Sequence, residues 1–166
     1  MEIYLIRHAI AAERGEAYPD DAKRPLTPRG IARFRQEVAG LVALDVTVEQ
    51  ILTSPLVRTR QTADLLAAHL PGAPPVATCD ALAPDGSIAS VIDELGKYAR
   101  RRRVAIVGHE PGIGDVAARL IGARERFDFK KGAICRIDVE TVPPAKPGML
   151  RWFMTPRMLR QIGKSK

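Results

Sequence analysis

Two arginines and two histidines closely follow apolar runs of the kind that form buried strands. Arg7 and His8 follow "IYLI", Arg58 follows "ILTSPLV" and His109 follows "VAIVG". Arginine offers a planar fork of donors that matches phosphate oxygens in pairs, and it keeps its charge at working pH. Histidine, with an ordinary pKa of roughly 6.5, can be a neutral nucleophile toward phosphorus or a protonated donor. Together these residue types indicate chemistry on a dianionic group.

The joint placement of the four residues carries this inference, because a lone histidine at a strand end is more often structural. In open α/β sheets, ligands bind at the carboxyl edge of the strands. We therefore expect the side chains of Arg7, His8, Arg58 and His109 to converge on one cleft. The third histidine, His69, stands near the end of a predicted helix, where it can simply favour the negative end of the helix dipole.

Alternating strand and helix patterns predict the scaffold that positions these residues, a three-layer α/β/α fold with a mostly parallel central sheet. Thr27 as N-cap and Pro28 at the first helical position begin one helix. Two alternating segments near the end predict a strand pair that is antiparallel at a sheet edge. The predicted strands are "YLIR", "EQILT", "RVAIVG", "AICRIDVE" and "GMLRWFMTP", and the predicted helices are "PRGIARFRQEVAGLVAL", "LVRTRQTADLLAAHL", "SIASVIDELGKYARR" and "GIGDVAARLIG".

Length and composition favour one ordinary globular domain over residues 1–166. The sequence has no apolar run of the ~18 residues that a membrane span requires, and its start lacks the pattern of a secretion signal. We expect a cytoplasmic monomer with no membrane partner. Cys79 and Cys135 match no metal-ligand or redox spacing, so we expect reduced thiols, one in a loop and one in a strand.

The net charge of +7 attracts anions such as phosphate, nucleic acid or acidic protein surfaces. Part of the excess is the arginine run 100–103, which we interpret as a solvated helix end that complements the helix dipole. A nucleic-acid patch would interleave aromatic residues, and only Tyr98 stands beside the run, so nucleic acid is not an expected partner. Lys130 and Lys131 could guide an acidic substrate, although a solvated loop pair is the interpretation we favour.

Four motifs in sequence order resemble the histidine phosphatase superfamily, which has the phosphoglycerate mutase fold. They are "IRHA", "LTPRG", "LTSPLVRTRQTA" and "VGHEPGI". The short length, Ala9, the "DDAKRPLTPRG" segment and the small "APDGSI" connection look more like the SixA branch, the phosphohistidine phosphatases. The resemblance covers essentially the whole chain and implies a minimal version of the fold without large insertions.

The resemblance implies a role for each of the four residues. His8 would be the nucleophile, forming a phosphohistidine that water hydrolyses, while Arg7 and Arg58 hold the phosphoryl oxygens and His109 donates from the opposite side. Phosphoryl transfer needs mainly in-line positioning and neutralisation of charge on the equatorial oxygens, which these groups can supply without a metal or cofactor. No acidic cluster of metal-binding type accompanies them in the sequence.

The chain departs from the superfamily pattern in two places. Ala9 replaces a glycine that most members have, which leaves the reacting side chains untouched. Larger relatives carry a glutamate general acid in an insertion, where this chain has only "CDALAPDGSIAS". Asp85 and Glu13 are the candidates, but Pro-Asp-Gly is a turn sequence and favours a turn role for Asp85. Asp21 and Arg24 belong to the branch's pattern, yet the sequence gives them no role.

The missing acid bears on the substrate. An alkoxide leaving group benefits from a positioned acid by roughly 10² to 10⁴ in rate, whereas a phosphorylated imidazole can carry its own proton and depart as neutral histidine. The short connection also leaves the cleft open to a protein surface. We therefore expect a metal-independent phosphohistidine phosphatase that acts on a protein.

Other functions stay open. One is a phosphatase of small phosphate esters or polyphosphate, and another is a non-catalytic module that binds phosphorylated ligands or nucleic acid. Both histidines and both arginines are present, which speaks against a binding module, because binding alone would not require a nucleophile. A mutase is disfavoured, because the chain lacks insertions that could retain a substrate between two transfers.

Overall fold

A six-stranded sheet with the order β3-β2-β4-β1-β5-β6 organises the computed structural model, which describes residues 1–164. The strands are β1 Glu2–Arg7, β2 Gln50–Thr53, β3 Val76–Thr78, β4 Arg103–Gly108, β5 Ile134–Asp138 and β6 Met149–Met154. The helices are α1 Pro28–Ala43, α2 Val57–His69, α3 Ile88–Gly96, α4 Gly112–Ile121 and α5 Pro156–Ile162. Two single 3₁₀ turns, Asp21–Lys23 and Asp80–Leu82, lie in the loops before α1 and α3.

Helices cover both faces of the sheet, because side chains alternate between the faces along each strand. Ile3 and Leu5 of β1 point into a core shared with α3 and α4. Tyr4 and Ile6 point into the opposite core, which α1, α2 and α5 complete. The predicted three-layer α/β/α class is therefore confirmed.

Strand direction decides where the polar strand ends meet. β1, β2, β3 and β4 run parallel, and the register that pairs Arg7 with Gly108 brings the carboxyl ends of β1 and β4 together. β5 runs antiparallel to both β1 and β6, as the alternating segments predicted, with β6 at the sheet edge. The carboxyl ends of β1, β2 and β4 therefore lie along one edge of the sheet.

Helix α1 begins as its sequence predicts. The Thr27 hydroxyl accepts a hydrogen bond from the Gly30 backbone N–H at 2.9 Å, and Pro28 occupies the first turn. Phe34, Val38 and Leu41 are buried on the sheet side of the helix. Val42, which is apolar like these residues, is exposed; it lies about 100° around the helix from Leu41.

The arginine run is not a helix end, which corrects the sequence interpretation. Helix α3 ends at Gly96, earlier than predicted, and a turn carries the chain to β4. Arg100, Arg101 and Arg102 are exposed. Arg103 begins β4, where it donates to the Thr47 hydroxyl at 2.7 Å and pairs with a carboxylate of β1. The run therefore lies at the amino end of β4, away from the edge where the strand ends meet.

Two elements were not predicted. β3 is only three residues long and half-exposed, too short to give a periodic signal. Helix α5 starts with Thr155 as N-cap and Pro156 in the first turn, the same Thr-Pro start as α1. That Thr-Pro pair was the sequence signal from which α5 could have been predicted.

Within residues 1–164, no helix has the length and apolar character to cross a membrane. Cys79 and Cys135 are buried free thiols, Cys79 in a loop and Cys135 in β5.

Candidate active site

The structure brings the four sequence-predicted site residues together at the carboxyl edge of the sheet. Arg7 ends β1 and His8 follows it, His109 follows β4, and Arg58 lies in the first turn of α2. The His8 backbone N–H donates to the Gly108 carbonyl at 3.1 Å, which ties the two strand ends together. The imidazole centroids of His8 and His109 are 5.3 Å apart with a 59° tilt. His8, Arg58 and His109 are no more than 6% exposed, and Arg7 is half-buried.

The turn before β5 holds the end of β1 in place. The Gly132 backbone N–H donates to the carbonyls of Arg7 and His8, both at 3.1 Å. Gly132 has a φ of +85°, and a Cβ there would collide with the Glu37 carboxylate. This close approach in the left-handed region requires glycine. The position of Arg7 and His8 at the end of β1 therefore depends on a glycine.

Ala9 fits its position without strain. Its backbone N–H donates to the Thr62 hydroxyl at 3.1 Å, and that hydroxyl donates to the Arg58 carbonyl at 2.7 Å. Its backbone is not in the left-handed region, where the described non-glycine residues are Asp45 and Ala73. The replacement of glycine by alanine here therefore costs no backbone strain, and the Ala9 amide joins the His8 strand end to α2.

The hydrogen bonds of His8 leave one ring nitrogen free to react. Its Nδ1 lies 2.7 Å from the Ala9 carbonyl, which can only accept, so Nδ1 carries the proton and Nε2 keeps its lone pair. Burial, with the charges of Arg58, Arg7 and Lys131, lowers the pKa of His8 to about 4. At neutral pH His8 is therefore an uncharged imidazole with a nucleophilic Nε2.

A hydrogen bond to Ser54 orients the ring of His109. Its Nε2 lies 2.9 Å from the Ser54 hydroxyl, which also accepts from the Leu56 backbone N–H at 3.4 Å. When the hydroxyl hydrogen points at Nε2, the ring proton lies on Nδ1, which is buried and has no partner among the described residues. Burial lowers the pKa of His109 to about 3, and protonated His8 and the charge of Arg58 act in the same direction. In the Nδ1–H tautomer, His109 is a neutral donor through Nδ1.

Asp21 clamps the buried guanidinium of Arg58. Arg58 Nη1 donates to the Asp21 carbonyl at 2.7 Å, and Nη2 donates to its Oδ2 at 3.0 Å. The other carboxylate oxygen accepts from Arg24 Nε at 2.8 Å and Arg14 Nε at 2.7 Å. Although burial alone would raise the pKa of Asp21, these arginines lower it to about 2. Asp21 and Arg24, without a derivable role in the sequence, therefore orient Arg58.

A second acidic residue, Glu110, supports Arg7, and sequence reasoning missed it. Arg7 Nη1 donates to the Phe129 carbonyl at 2.5 Å, while the Phe129 backbone N–H donates to Glu110 Oε1 at 3.0 Å. Burial raises the pKa of Glu110, against the opposing effects of the Phe129 hydrogen bond and of Arg7. Its place directly after His109 in "VGHEPGI" was the available signal.

The two candidate general acids lie on the exposed surface. Asp85 occupies the turn between Asp80–Leu82 and α3, in agreement with its Pro-Asp-Gly sequence, and it is not among the residues that line the recess beside His109. Glu13 lies in the loop after β1. Across residues 1–164, no hydrogen bond or ion pair connects either carboxylate to the four site residues.

Comparison with known proteins agrees with this geometry. The family model of the histidine phosphatase superfamily (branch 1) matches residues 3–83. An uncharacterised protein of Picosynechococcus is 41% identical over 138 residues, which cover 81% of this chain and 82% of that protein. The chain belongs to the histidine phosphatase superfamily and is a phosphatase.

Within the superfamily, the similarity extends to SixA-type members over almost the whole chain. The phosphohistidine phosphatase SixA of Escherichia coli is 27% identical over 164 residues, or 96% of this chain and 97% of that protein. A structure of the protein histidine phosphatase SixA complexed with tungstate superposes with a TM-score of 0.85 at 25% identity, covering 95% of this chain and 98% of that one. The phosphoglycerate mutase-like fold is thereby confirmed in its minimal form.

Proposed function

We propose that this phosphatase hydrolyses phosphohistidine on a protein, through a covalent phosphohistidine on His8. The observation that carries the proposal is the environment of His8: its Nδ1 is tied to the Ala9 carbonyl, which leaves Nε2 free, and the ring of His109 lies 5.3 Å away between centroids, with the charges of Arg7 and Arg58 acting on His8. A neutral nucleophile surrounded by donors suits attack on a dianionic phosphoryl group. The resemblance to SixA, a phosphohistidine phosphatase, supports the same substrate.

In the first step, the lone pair of His8 Nε2 attacks phosphorus in line with the phosphorus–nitrogen bond of the substrate. That bond breaks, and its electron pair returns to the substrate imidazole, which leaves as neutral histidine because its other nitrogen carries a proton. Arg7, Arg58 and the His109 Nδ1–H stabilise the charge on the equatorial oxygens. Throughout, the proton on His8 Nδ1 stays hydrogen-bonded to the Ala9 carbonyl.

In the second step, water attacks the phosphorus of phosphorylated His8. The phosphorus–nitrogen bond breaks, its electron pair returns to Nε2, and the proton released by water stays on the phosphate. Because Nδ1 already carries a proton, His8 leaves as a neutral imidazole, as the substrate did in the first step. A dedicated general acid is therefore unnecessary in both steps, which agrees with the exposed positions of Asp85 and Glu13.

No group outside the four residues and their supports is required for this chemistry. Within the described chain, no cluster of three or more His, Cys, Asp or Glu side chains could hold a metal ion. Only residues 79–87 join β3 to α3, so this connection is too short to form a capping domain over the site. An open site favours a protein-borne substrate. The cytoplasm, expected from the sequence, is where we place the reaction.

The test compares phosphate release from a phosphohistidine peptide, para-nitrophenyl phosphate and polyphosphate, with a chelator present. We expect release from the peptide by the native chain, loss in His8→Ala, and native rates in His69→Ala, which removes an exposed histidine instead. A rapid acid-free quench should trap labelled phosphate on the native chain alone.

Three results would contradict the proposal. Activity that survives in His8→Ala would exclude His8 as nucleophile. If the native chain hydrolysed esters or polyphosphate but not the phosphohistidine peptide, it would be a phosphatase with a different substrate. Salt-dependent nucleic-acid binding that is unaffected by His8→Ala, without any turnover, would favour a binding module.

A further inference from the structure

A groove of about 480 Å³ opens beside the proposed phosphoryl site, which consists of Arg7, His8, Arg58 and His109. Basic side chains make up most of the groove's lining. Three segments border it: the first half of α1, the turn that precedes β5, and helix α5. Arg7 lines both this groove and the phosphoryl site, so the two are continuous. The cationic lining residues are Arg7, Arg33, Lys130, Lys131, Arg157 and Arg160.

Most of this positive charge is unbalanced. Of the lining residues, Glu37 is the acidic one, and its buried carboxylate already accepts from Arg160 Nη1 at 2.5 Å. Arg33, Lys130, Lys131 and Arg157 form no ion pair with any residue in 1–164. The charge of Lys131 also acts on His8, so the field of the groove reaches the reacting imidazole.

The other sides of the site differ from this groove. A second recess next to Arg7 carries the carboxylates of Glu110 and Asp128 as well as basic residues. A third, beside His109, is lined largely by apolar side chains such as Leu82 and Ile113. Of these three recesses, the groove therefore has the largest excess of positive charge.

We propose that this groove binds a carboxylate-rich segment that flanks the phosphohistidine of the substrate protein. The inference rests on the proposed function and specifies its partner as a protein with Asp and Glu residues beside the modified histidine. Arg7 sets the geometry, because a side chain shared by both sites requires the occupant to be continuous with the phosphorylated residue. Exposed charges of this kind mainly speed encounter and set orientation, so their effect falls on kcat/KM and leaves kcat unchanged.

The exposed arginines at the amino end of β4 provide a matched control. Arg100 and Arg101 carry the same charge as the groove arginines, but they precede the amino end of β4. The candidate site lies at the carboxyl end of β4, roughly 17 Å away along the strand. Removing the two charges of Arg100 and Arg101 changes the net charge by the same amount without touching the groove. A non-specific effect of net charge would therefore appear in both pairs of variants.

The experiment uses two phosphohistidine peptides of equal length, one flanked by Asp and Glu and one by Ser and Gln. For the native chain at low salt, we expect kcat/KM to favour the acidic peptide by about tenfold, and high salt to reduce this preference. The double variant Arg33→Gln/Arg157→Gln should lower the preference to about twofold. Arg100→Gln/Arg101→Gln should keep the native preference.

The outcomes separate this proposal from the proposed function. Hydrolysis of both peptides with equal preference in the native chain and the groove variant would overturn the groove assignment and leave the phosphohistidine activity intact. An equal fall in both double variants would assign the preference to net charge and also overturn it. Failure to hydrolyse either peptide would remove the proposed function, and the inference with it.

Discussion

Asp21 receives both terminal nitrogens of Arg58, one on its backbone carbonyl and one on its carboxylate, at 2.7 and 3.0 Å. The two residues come from different elements, the 3₁₀ turn before α1 and the first turn of α2. A buried guanidinium is therefore fixed in one orientation before any substrate arrives. Such preorganisation avoids the cost of reordering the donor as charge develops on the phosphoryl oxygens.

Asp21→Asn should therefore weaken catalysis without unfolding the protein. The backbone contact remains, but the charge-assisted bonds to Arg58, Arg24 and Arg14 are lost or weakened, and each such bond contributes about 1.5–3 kcal/mol. We expect kcat/KM for a phosphohistidine peptide to fall about tenfold or more. The neighbouring Asp20→Asn is the control, because an asparagine can still accept from the Ala22 N–H. Unchanged kinetics in Asp21→Asn would show that Arg58 does not need its clamp.

The two site histidines should remain uncharged in mildly acidic solution. Their pKa values of about 4 and 3 lie below the ordinary value, so each becomes protonated only as the pH falls through those values. Nitrogen NMR of the imidazoles should show neutral rings at pH 6 and the Nδ1–H tautomer in both. His8→Ala and His109→Ala assign the signals.

An oxyanion should reverse this shift. Tungstate bound between Arg7, Arg58 and the two histidines would favour the charged form of each ring, so both pKa values should rise on its addition. If the free protein already shows protonated site histidines at pH 6, the proposed neutral nucleophile is wrong.

Glu110 acts on Arg7 through the backbone of Phe129, and two substitutions can separate its charge from its hydrogen bond. Glu110→Gln keeps an acceptor for the Phe129 N–H, whereas Glu110→Ala removes it. If positioning dominates, we expect Glu110→Ala to lower kcat/KM about threefold to tenfold and Glu110→Gln to lower it less. Equal losses would assign the effect to charge. Glu125→Gln, an exposed change before the same segment, serves as the control.

Gly132→Ala should destabilise the fold and the site together. The new methyl group would meet the Glu37 carboxylate in a backbone conformation that alanine adopts only with strain. We expect a loss of at least about 1–3 kcal/mol in the free energy of unfolding, measured with denaturant. Gly15→Ala, in open space and without a positive φ, should cost far less. Equal stability of the two variants would contradict the role assigned to this turn.

Strand ends were the part of the site that the sequence could predict. Arg7, His8 and His109 follow apolar strands directly, and the parallel βα pattern implies that such ends share one edge. The supports could not be predicted in the same way. Asp21 and Arg58 are 37 positions apart, and their contact depends on how a loop folds over α2. Hydrogen bonds of this kind have no periodicity in sequence.

The interpretation of the arginine run 100–103 as a helix end was wrong for a related reason. Its composition suited a helix end, but α3 stops at Gly96 and Arg103 joins the sheet instead. The pairing of Arg103 with Glu2 on the neighbouring strand is a tertiary contact that overrides local helix propensity. The effect of Lys131 on the pKa of His8 could not be predicted either, because the position of Lys131 depends on the Gly132 turn.

The candidate site residues Arg7, His8 and His109 lie at the ends of β1 and β4, the two middle strands of the sheet, while β3 and β6 form its edges. Amide exchange in folded proteins is usually slowest in central strands and fastest at frayed edges. Local unfolding that releases an edge strand therefore leaves the backbone of β1 and β4 folded. On heating, loss of activity should coincide with cooperative unfolding of the whole molecule, and the amides of Leu5 and Ile106 should be among the last to exchange with deuterium.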